Sequence, residues 1–209
     1  MRGFYNCYKI YNDYNRYMYI IFYGPEGSGK STQAKMLAEK LNLPYLGSGD
    51  LVRKYSAEDK GIMGNICRES LSKGYYVADS EMFVLWKQRL KDPDAQEGFI
   101  IDGFPRNQTQ ALFLADKLDK YGHNVDYVFY LAVSEVESIK RLLARGRTNP
   151  DGSLNDSPER IKQRLKMYTE QEADVLKFYE EEGRLHKING EQIIEKIFED
   201  ILAVIKNTT

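Results

Sequence analysis

The chain has 209 residues, with 30 Lys and Arg against 31 Asp and Glu, and a formal net charge of −1 at pH 7. That length suits one α/β domain with small insertions, and charges that nearly cancel argue against a dedicated nucleic-acid binder, though not against a nucleotide ligand. Cys7 and Cys67 are too few and too far apart for a disulfide framework or a zinc-ligand set, so a reducing, cytoplasmic setting is expected. No apolar run is long enough to predict a membrane span, and the first seventeen residues lack the apolar core of a signal peptide.

Those seventeen residues carry Tyr5, Tyr8, Tyr11, Tyr14 and Tyr17 at every third position among Asn, Lys and Arg. Spacing of three tracks no straight helix face, and aliphatic anchors are scarce. Residues 1–17 are therefore expected to be a mobile extension outside the fold, with a docking arm as the alternative. Met18, where the first strand begins, is expected to be the true or an alternative start.

Tyr19-Ile20-Ile21-Phe22-Tyr23 predicts a buried strand. Gly24-Pro25-Glu26-Gly27-Ser28-Gly29-Lys30-Ser31 follows it and fits G-x-x-x-x-G-K-[ST], the phosphate-binding loop of nucleotide triphosphate enzymes. Ala34, Leu37, Ala38 and Leu41 then recur at i, i+3, i+4 and i+7, so a helix opens where the loop ends. Strand, Gly-rich turn and helix together are the context the motif needs; a Gly-rich connection without a ligand is the plain alternative. Glycines let backbone N–H groups turn inward around phosphate oxygens, and the helix start adds partial positive charge. Lys30 would reach the β- and γ-phosphates, and the Ser31 hydroxyl can ligate Mg²⁺. Glu26 is a carboxylate inside an anion-binding loop and is expected to point outward.

Further along, Leu43 to Leu46 predicts a short strand broken by Gly47-Ser48-Gly49-Asp50. Residues 50–73 predict two short helices split by Gly61. Asp79 to Leu90 predicts a helix that ends before Asp92-Pro93. Gly98 to Asp102 predicts a buried strand ending in an acid, and Asn107 to Tyr121 a helix stopped at Gly122. Asp126 to Val133 predicts another apolar strand. Ser134-x-x-Glu137 is a capping box for the next helix, and Ser157-Pro158 opens a long helix to about Glu182. Leu185 to Ile188 predicts a last strand and Glu191 onward a final helix. Strands alternating with helices predict a parallel sheet covered on both faces, with ligands beyond the carboxyl ends of its strands.

A second chemical signal is Asp102-Gly103-Phe104-Pro105-Arg106. Asp102 could hold Mg²⁺ through water, and Arg106 could grip a second phosphate bidentately. A plain Asp-Gly turn with an exposed arginine is the alternative. Arg141 and Arg145 are four apart and share a helix face, as do Arg160 and Arg164. One such pair alone would be solvated surface; two flanking a loop suggest a charge clamp. His123 and His186 are expected to be ordinary fold residues.

GPEGSGKSTQA, SGDLVR, GFIIDGFPRNQTQA and RLLARGR, in that order and spacing, resemble the adenylate kinases and their nucleoside monophosphate kinase relatives. The resemblance implies an α/β phosphate-loop kinase with a doubly wound, five-stranded parallel sheet. It implies a core over residues 18–47, 78–144 and 158–209, a monophosphate-binding domain over 48–77 and a lid over 145–157. It also implies the reaction ATP + AMP ⇌ 2 ADP with Mg²⁺, small nucleotides as sole partners, and a monomer. Residue by residue, it puts the loop 24–31, Thr32, Arg141 and Gln192 on ATP. It puts Ser48, Gly49, Arg53, Val77, Gly103, Arg106 and Gln110 on AMP, with Asp50 at the start of the monophosphate-binding helices. Lys30, Arg106, Arg145 and Arg164 would act on the transferring phosphoryl group.

Gln110 decides the acceptor base. Its amide can pair with the adenine edge, whereas Asn107-x-x-Gln110 is also a capping-box pattern in which it bonds back to the helix start. UMP/CMP kinases resemble this chain at Arg106-Asn107-Gln108 and remain the enzyme alternative; a nucleotide-binding module without turnover is the other. The short lid without cysteines resembles the zinc-free forms. Ser153 falls where relatives often carry a further lid arginine, and Arg147 or Arg160 is expected to substitute.

Overall fold

The structure, a computed structural model, describes residues 17–148, 152 and 154–208. Most of the Tyr-rich extension and Ser153 lie outside the described residues. Five parallel strands form one sheet: β1 (Met18–Tyr23), β2 (Tyr45–Gly47), β3 (Gly98–Asp102), β4 (Tyr127–Ala132) and β5 (Leu185–Asn189), in the order β2-β3-β1-β4-β5. The helices are α1 (Lys30–Leu41), α2 (Ser48–Glu58), α3 (Ile62–Lys73), α4 (Asp79–Arg89), α5 (Gln108–Asp119), α6 (Glu135–Arg145), α7 (Pro158–Glu181) and α8 (Ile194–Thr208).

Alternation along the strands splits the core in two. Tyr19, Ile21, Tyr23, Ile101 and Val128 pack with Trp86, Leu114 and Val175 on one face. Met18, Ile20, Phe22, Ile100 and Phe129 pack with Leu37, Ile197 and Ile201 on the other. A sheet buried on both faces explains why the strands read as unbroken apolar runs rather than alternating ones. Leu142, Ile161 and Leu165 form a small third cluster that ties α6 to α7.

Strand register places the site. Phe22 stands opposite Asp102, and Asp102 opposite Gly47. The loop after β1, the acid ending β3 and the start of α2 after β2 therefore leave the sheet at one level. The order of strands makes the crevice at this edge, since β1 lies between β3 and β4 while its chain neighbour β2 lies beyond β3.

Helix starts follow their sequence signals with one exchange. Asn107, Ser134 and Ser157 each accept a hydrogen bond from the N–H three residues on. At α6 the expected reciprocal bond is different. Ser134 N–H donates to Glu191 Oε1 at 2.7 Å, while Glu137 pairs with Lys140 and Arg141. No described helix is long and apolar enough to cross a membrane.

Candidate active site

The loop glycines sit where a side chain would not. Gly24 has φ 139°, and a Cβ there would lie 2.7 Å from Leu131 O. Gly27 has φ 86°, and its Cβ would meet Ser138 O at 2.8 Å. Both positions let the loop backbone lie close against β4 and α6. Gly29, φ 90°, caps the start of α1 without a side-chain hydrogen bond, which leaves first-turn N–H groups to an anion. Gly24→Ala is expected to cost about 2 kcal/mol, from left-handed strain and the backbone clash. Thermal unfolding by circular dichroism should show a fall of roughly 4–8 °C.

Around this loop lies a cavity of about 420 Å³. Gly24, Glu26, Gly27, Gly29, Lys30, Ser31 and Thr32 line it, while Pro25 and Ser28 do not. Pro25 instead uses its carbonyl, which accepts from Lys30 Nζ at 3.1 Å. Burial pulls the Lys30 ammonium below its ordinary pKa, against the opposing pull of Asp102 and Glu26. Ser31 Oγ donates to Asp102 Oδ2 at 2.5 Å, and Tyr45 OH to the same oxygen at 2.9 Å. Asp102 Oδ1 is buried with no hydrogen-bond partner among the described residues. A buried carboxylate oxygen left over beside a serine hydroxyl and a lysine fits a hydrated Mg²⁺.

On the other side of the cavity stand the residues of α2 and the β3–α5 loop. Ser48 Oγ donates to Gly103 O at 2.8 Å. Arg106 Nε donates to the same carbonyl at 2.8 Å, and its Nη2 reaches Ser48 Oγ at 3.3 Å. The Arg106 guanidinium lies 3.6 Å from the centre of the Tyr76 ring, a stacked geometry that holds it flat. Arg53 pairs with Asp50 at 2.6 Å, and both line the cavity with Gly49, Val77 and Gly103. Gln110 also reaches the wall, but its amide is engaged. Its Oε1 accepts from Arg106 N–H at 2.8 Å, and its Nε2 donates to Asp79 Oδ1 at 2.7 Å. Asn107 Nδ2 donates to the same carboxylate at 2.9 Å. One N–H and one lone pair of the amide remain.

The third wall is cationic, and one acid organises it. Asp156, whose side chain is fully buried, accepts from Arg145 Nε at 2.8 Å and Arg145 Nη2 at 2.9 Å. It also accepts from Arg164 Nη2 at 2.8 Å and Arg147 N–H at 3.0 Å. Burial pushes its carboxyl pKa up, but the bonds from Arg145, Arg164 and Arg147 outweigh it and bring the value to about 2. Arg141 donates to Glu137 at 2.8 Å and reaches Gly27 O at 3.5 Å.

Three expectations change here. Glu26 points inward, not outward: its Oε2 lies 3.1 Å from Arg164 Nη1, and Tyr76 OH reaches its Oε1 at 3.5 Å. A carboxylate facing a wall of arginines is held there by charge. Arg160 and Arg164 do not act as a pair. Arg164 is buried and turned into the cavity, while Arg160 bonds Ser72 O at 2.7 Å and stays out of the lining. Arg147 lines the cavity. Gln192 bonds Asn189 O and Asp200 Oδ2 and does not line the cavity. Sequence reasoning missed Tyr45, Tyr76 and Asp79. None had a local signal, because each works through a partner distant in the chain. No group of three or more His, Cys, Asp or Glu side chains able to hold a metal comes together among the described residues.

A phosphate-binding loop at the carboxyl end of the central strand, an acid at the end of the neighbouring strand and arginines on the far walls define a phosphate-loop phosphotransferase. The family model described as "Adenylate kinase" matches residues 22–184. Adenylate kinase 1 of Synechocystis sp. is 40% identical over 187 residues, covering 90% of this chain and 96% of that protein. Adenylate kinase of Thermobifida fusca is 36% identical, covering 91% and 99%. Adenylate kinase of Xanthomonas euvesicatoria is 35% identical, covering 88% and 97%. The chain belongs to the adenylate kinase family.

Proposed function

We propose that the protein transfers the γ-phosphoryl group of ATP to AMP, giving two ADP, reversibly and with Mg²⁺. The observation that carries this reading is one cavity with a phosphate loop on one wall and Arg106, stacked on Tyr76, on another. Two phosphate-gripping elements facing one space suit a donor and an acceptor brought together.

The loop 24–31 with Thr32 would hold the donor phosphates, and Arg141 the donor base. Lys30 would exchange Pro25 O for a phosphate oxygen. Ser48, Gly49, Arg53, Val77, Gly103 and Arg106 would hold AMP. Residues 48–77 would act as the monophosphate-binding domain, 145–157 as the lid and the remainder from residue 18 as the core. Arg145 and Arg164 would meet the transferring group, with Arg147 taking the place expected of a lid arginine near Ser153. Ser31 and Asp102 would hold Mg²⁺, which when bound offsets phosphate charge. Gln192 has no support as an ATP contact. Alignment and charge neutralisation supply most of the rate in such chemistry, so no general base is needed. Closure of lid and monophosphate domain would exclude water and limit wasteful hydrolysis.

The base assignment rests on Gln110. Its remaining N–H and lone pair match the adenine edge, and Asp79 fixes which way the amide faces. The test is ADP formation from Mg·ATP with AMP, CMP, UMP or GMP in parallel. AMP alone should turn over. Gln110→Leu should raise KM for AMP by about tenfold or more, with KM for ATP little changed, because a buried hydrogen bond to the base is lost. Preference for CMP or UMP would make Gln110 a helix cap and nothing else. The reading extends to a monomer working in the cytoplasm, checked by light scattering and cell fractionation.

A further inference from the structure

Glu26 places a carboxylate within a loop whose chemistry is to receive phosphate. We propose that Glu26 sets the nucleotide affinity of this site: its carboxylate competes with nucleotide phosphates for Arg164, weakening their hold and easing product release. The inference rests on the phosphoryl-transfer reading above.

The contacts define the competition. Arg164 offers Nη1 to Glu26 at 3.1 Å and to Asn155 Oδ1 at 2.6 Å, and Nη2 to Asp156 at 2.8 Å. Asn155 and Asp156 approach from the 154–157 segment preceding α7, and Glu26 from the phosphate loop. Glu26 is thus the partner of Arg164 on the side where a phosphate of the loop would stand. Lys30, Arg145 and Arg147 also feel its charge. Its second oxygen faces Tyr76, the ring on which Arg106 lies. The carboxylate therefore stands between the donor loop and the acceptor arginine.

A phosphate entering this space gains Arg164 only as Glu26 gives it up, and then lies beside a like charge. Repulsion of unit charges about 4 Å apart, even in bulk-water dielectric, is worth about fivefold in binding. Tight binding of substrate and product slows release, so a carboxylate here trades affinity for turnover.

Inorganic tripolyphosphate, which has neither base nor sugar, is the probe. Its affinity is measured by calorimetry for wild type, Glu26→Gln, Glu26→Ala and a control, Glu39→Gln on the exposed face of α1. Melting temperatures confirm that each is folded. Both Glu26 variants should bind tripolyphosphate at least fivefold tighter, and the control should bind as wild type does. In steady-state assays of Glu26→Gln, KM for ATP should fall and kcat should not rise. Unchanged or weaker tripolyphosphate binding by both variants would overturn the competition. A raised KM with a lowered kcat would also overturn it, by making Glu26 a support for Arg164. If wild type forms no ADP from any acceptor while both variants still tighten tripolyphosphate, the kinase reading fails and the competition stands.

Discussion

Lys30→Met is expected to lower kcat/KM for ADP formation by about 10³-fold or more while the protein stays folded. Lys30 Nζ sits at the loop, bonded to Pro25 O, with Asp102 and Glu26 as nearby anions and Arg106 and Arg145 as nearby cations. A methionine keeps the unbranched stem and removes the charge. The loop backbone is held by Gly24 and Gly27 against β4 and α6, not by the lysine, so its shape should persist. Desolvation outweighs the pull of Asp102 and Glu26 on this ammonium, so loss of its charge should leave the melting temperature of the free protein within a few degrees of wild type. What is lost is charge that strengthens its hold as the phosphoryl group moves, and this acts on kcat more than on KM. A coupled ADP assay with Mg·ATP and AMP gives the rate, and circular dichroism the melting. A fall of less than tenfold would remove Lys30 from the reaction.

Asp156→Ala should damage both stability and rate. The carboxylate takes four hydrogen bonds, from two arginine side chains and a backbone amide. Removing it leaves Arg164, buried in α7, and Arg145, at the end of α6, facing each other across the gap. Breaking a buried ion pair from one side costs about 3–5 kcal/mol, which lowers the melting temperature by roughly 10 °C. The rate should fall by about 10²-fold or more, because neither guanidinium is then held for the phosphoryl group. The effect has a pH signature. Arg145, Arg164 and the Arg147 amide hold the Asp156 carboxyl well below the usual carboxylate range, at about 2 in the folded protein. A depressed carboxylate stabilises the fold above its unfolded pKa, and that contribution fades as pH falls through the folded value. That depression corresponds to about 2 kcal/mol. The stability gap between wild type and Asp156→Ala in urea titrations should therefore be constant above about pH 5 and narrow from about pH 4 towards pH 2. A gap that widens on acidification would contradict the role given to Asp156.

Local signals carried the elements and the phosphate loop. Gly24 to Ser31 between an apolar run and a helical pattern could form only a narrow turn. Asn107, Ser134 and Ser157 cap the helices that follow them, as their spacing indicated. The same held for Asp102, because an acid closing a buried strand must leave the sheet at the ligand edge. These features depend on neighbours within a few residues, and backbone geometry then dictates them.

Direction and partner, by contrast, come from packing between distant segments. Arg160 and Arg164 share a helix face by spacing, yet one is turned out to Ser72 O and the other inward to Asp156 and Glu26. Which of two cations is buried depends on what α6 and the phosphate loop present to α7, and no period in α7 records that. Glu26 was expected outward because a carboxylate repels phosphate; it turns inward because Arg164 is there to receive it. Tyr45 on Asp102, Tyr76 under Arg106 and Asp79 on Gln110 are likewise settled by contacts between segments far apart in the chain. Local sequence signals suffice to make the chain a phosphate-loop α/β protein and to place its anion-binding turn. Only packing decided which side chains converge on that turn, because charge and hydrogen bonding choose partners through space.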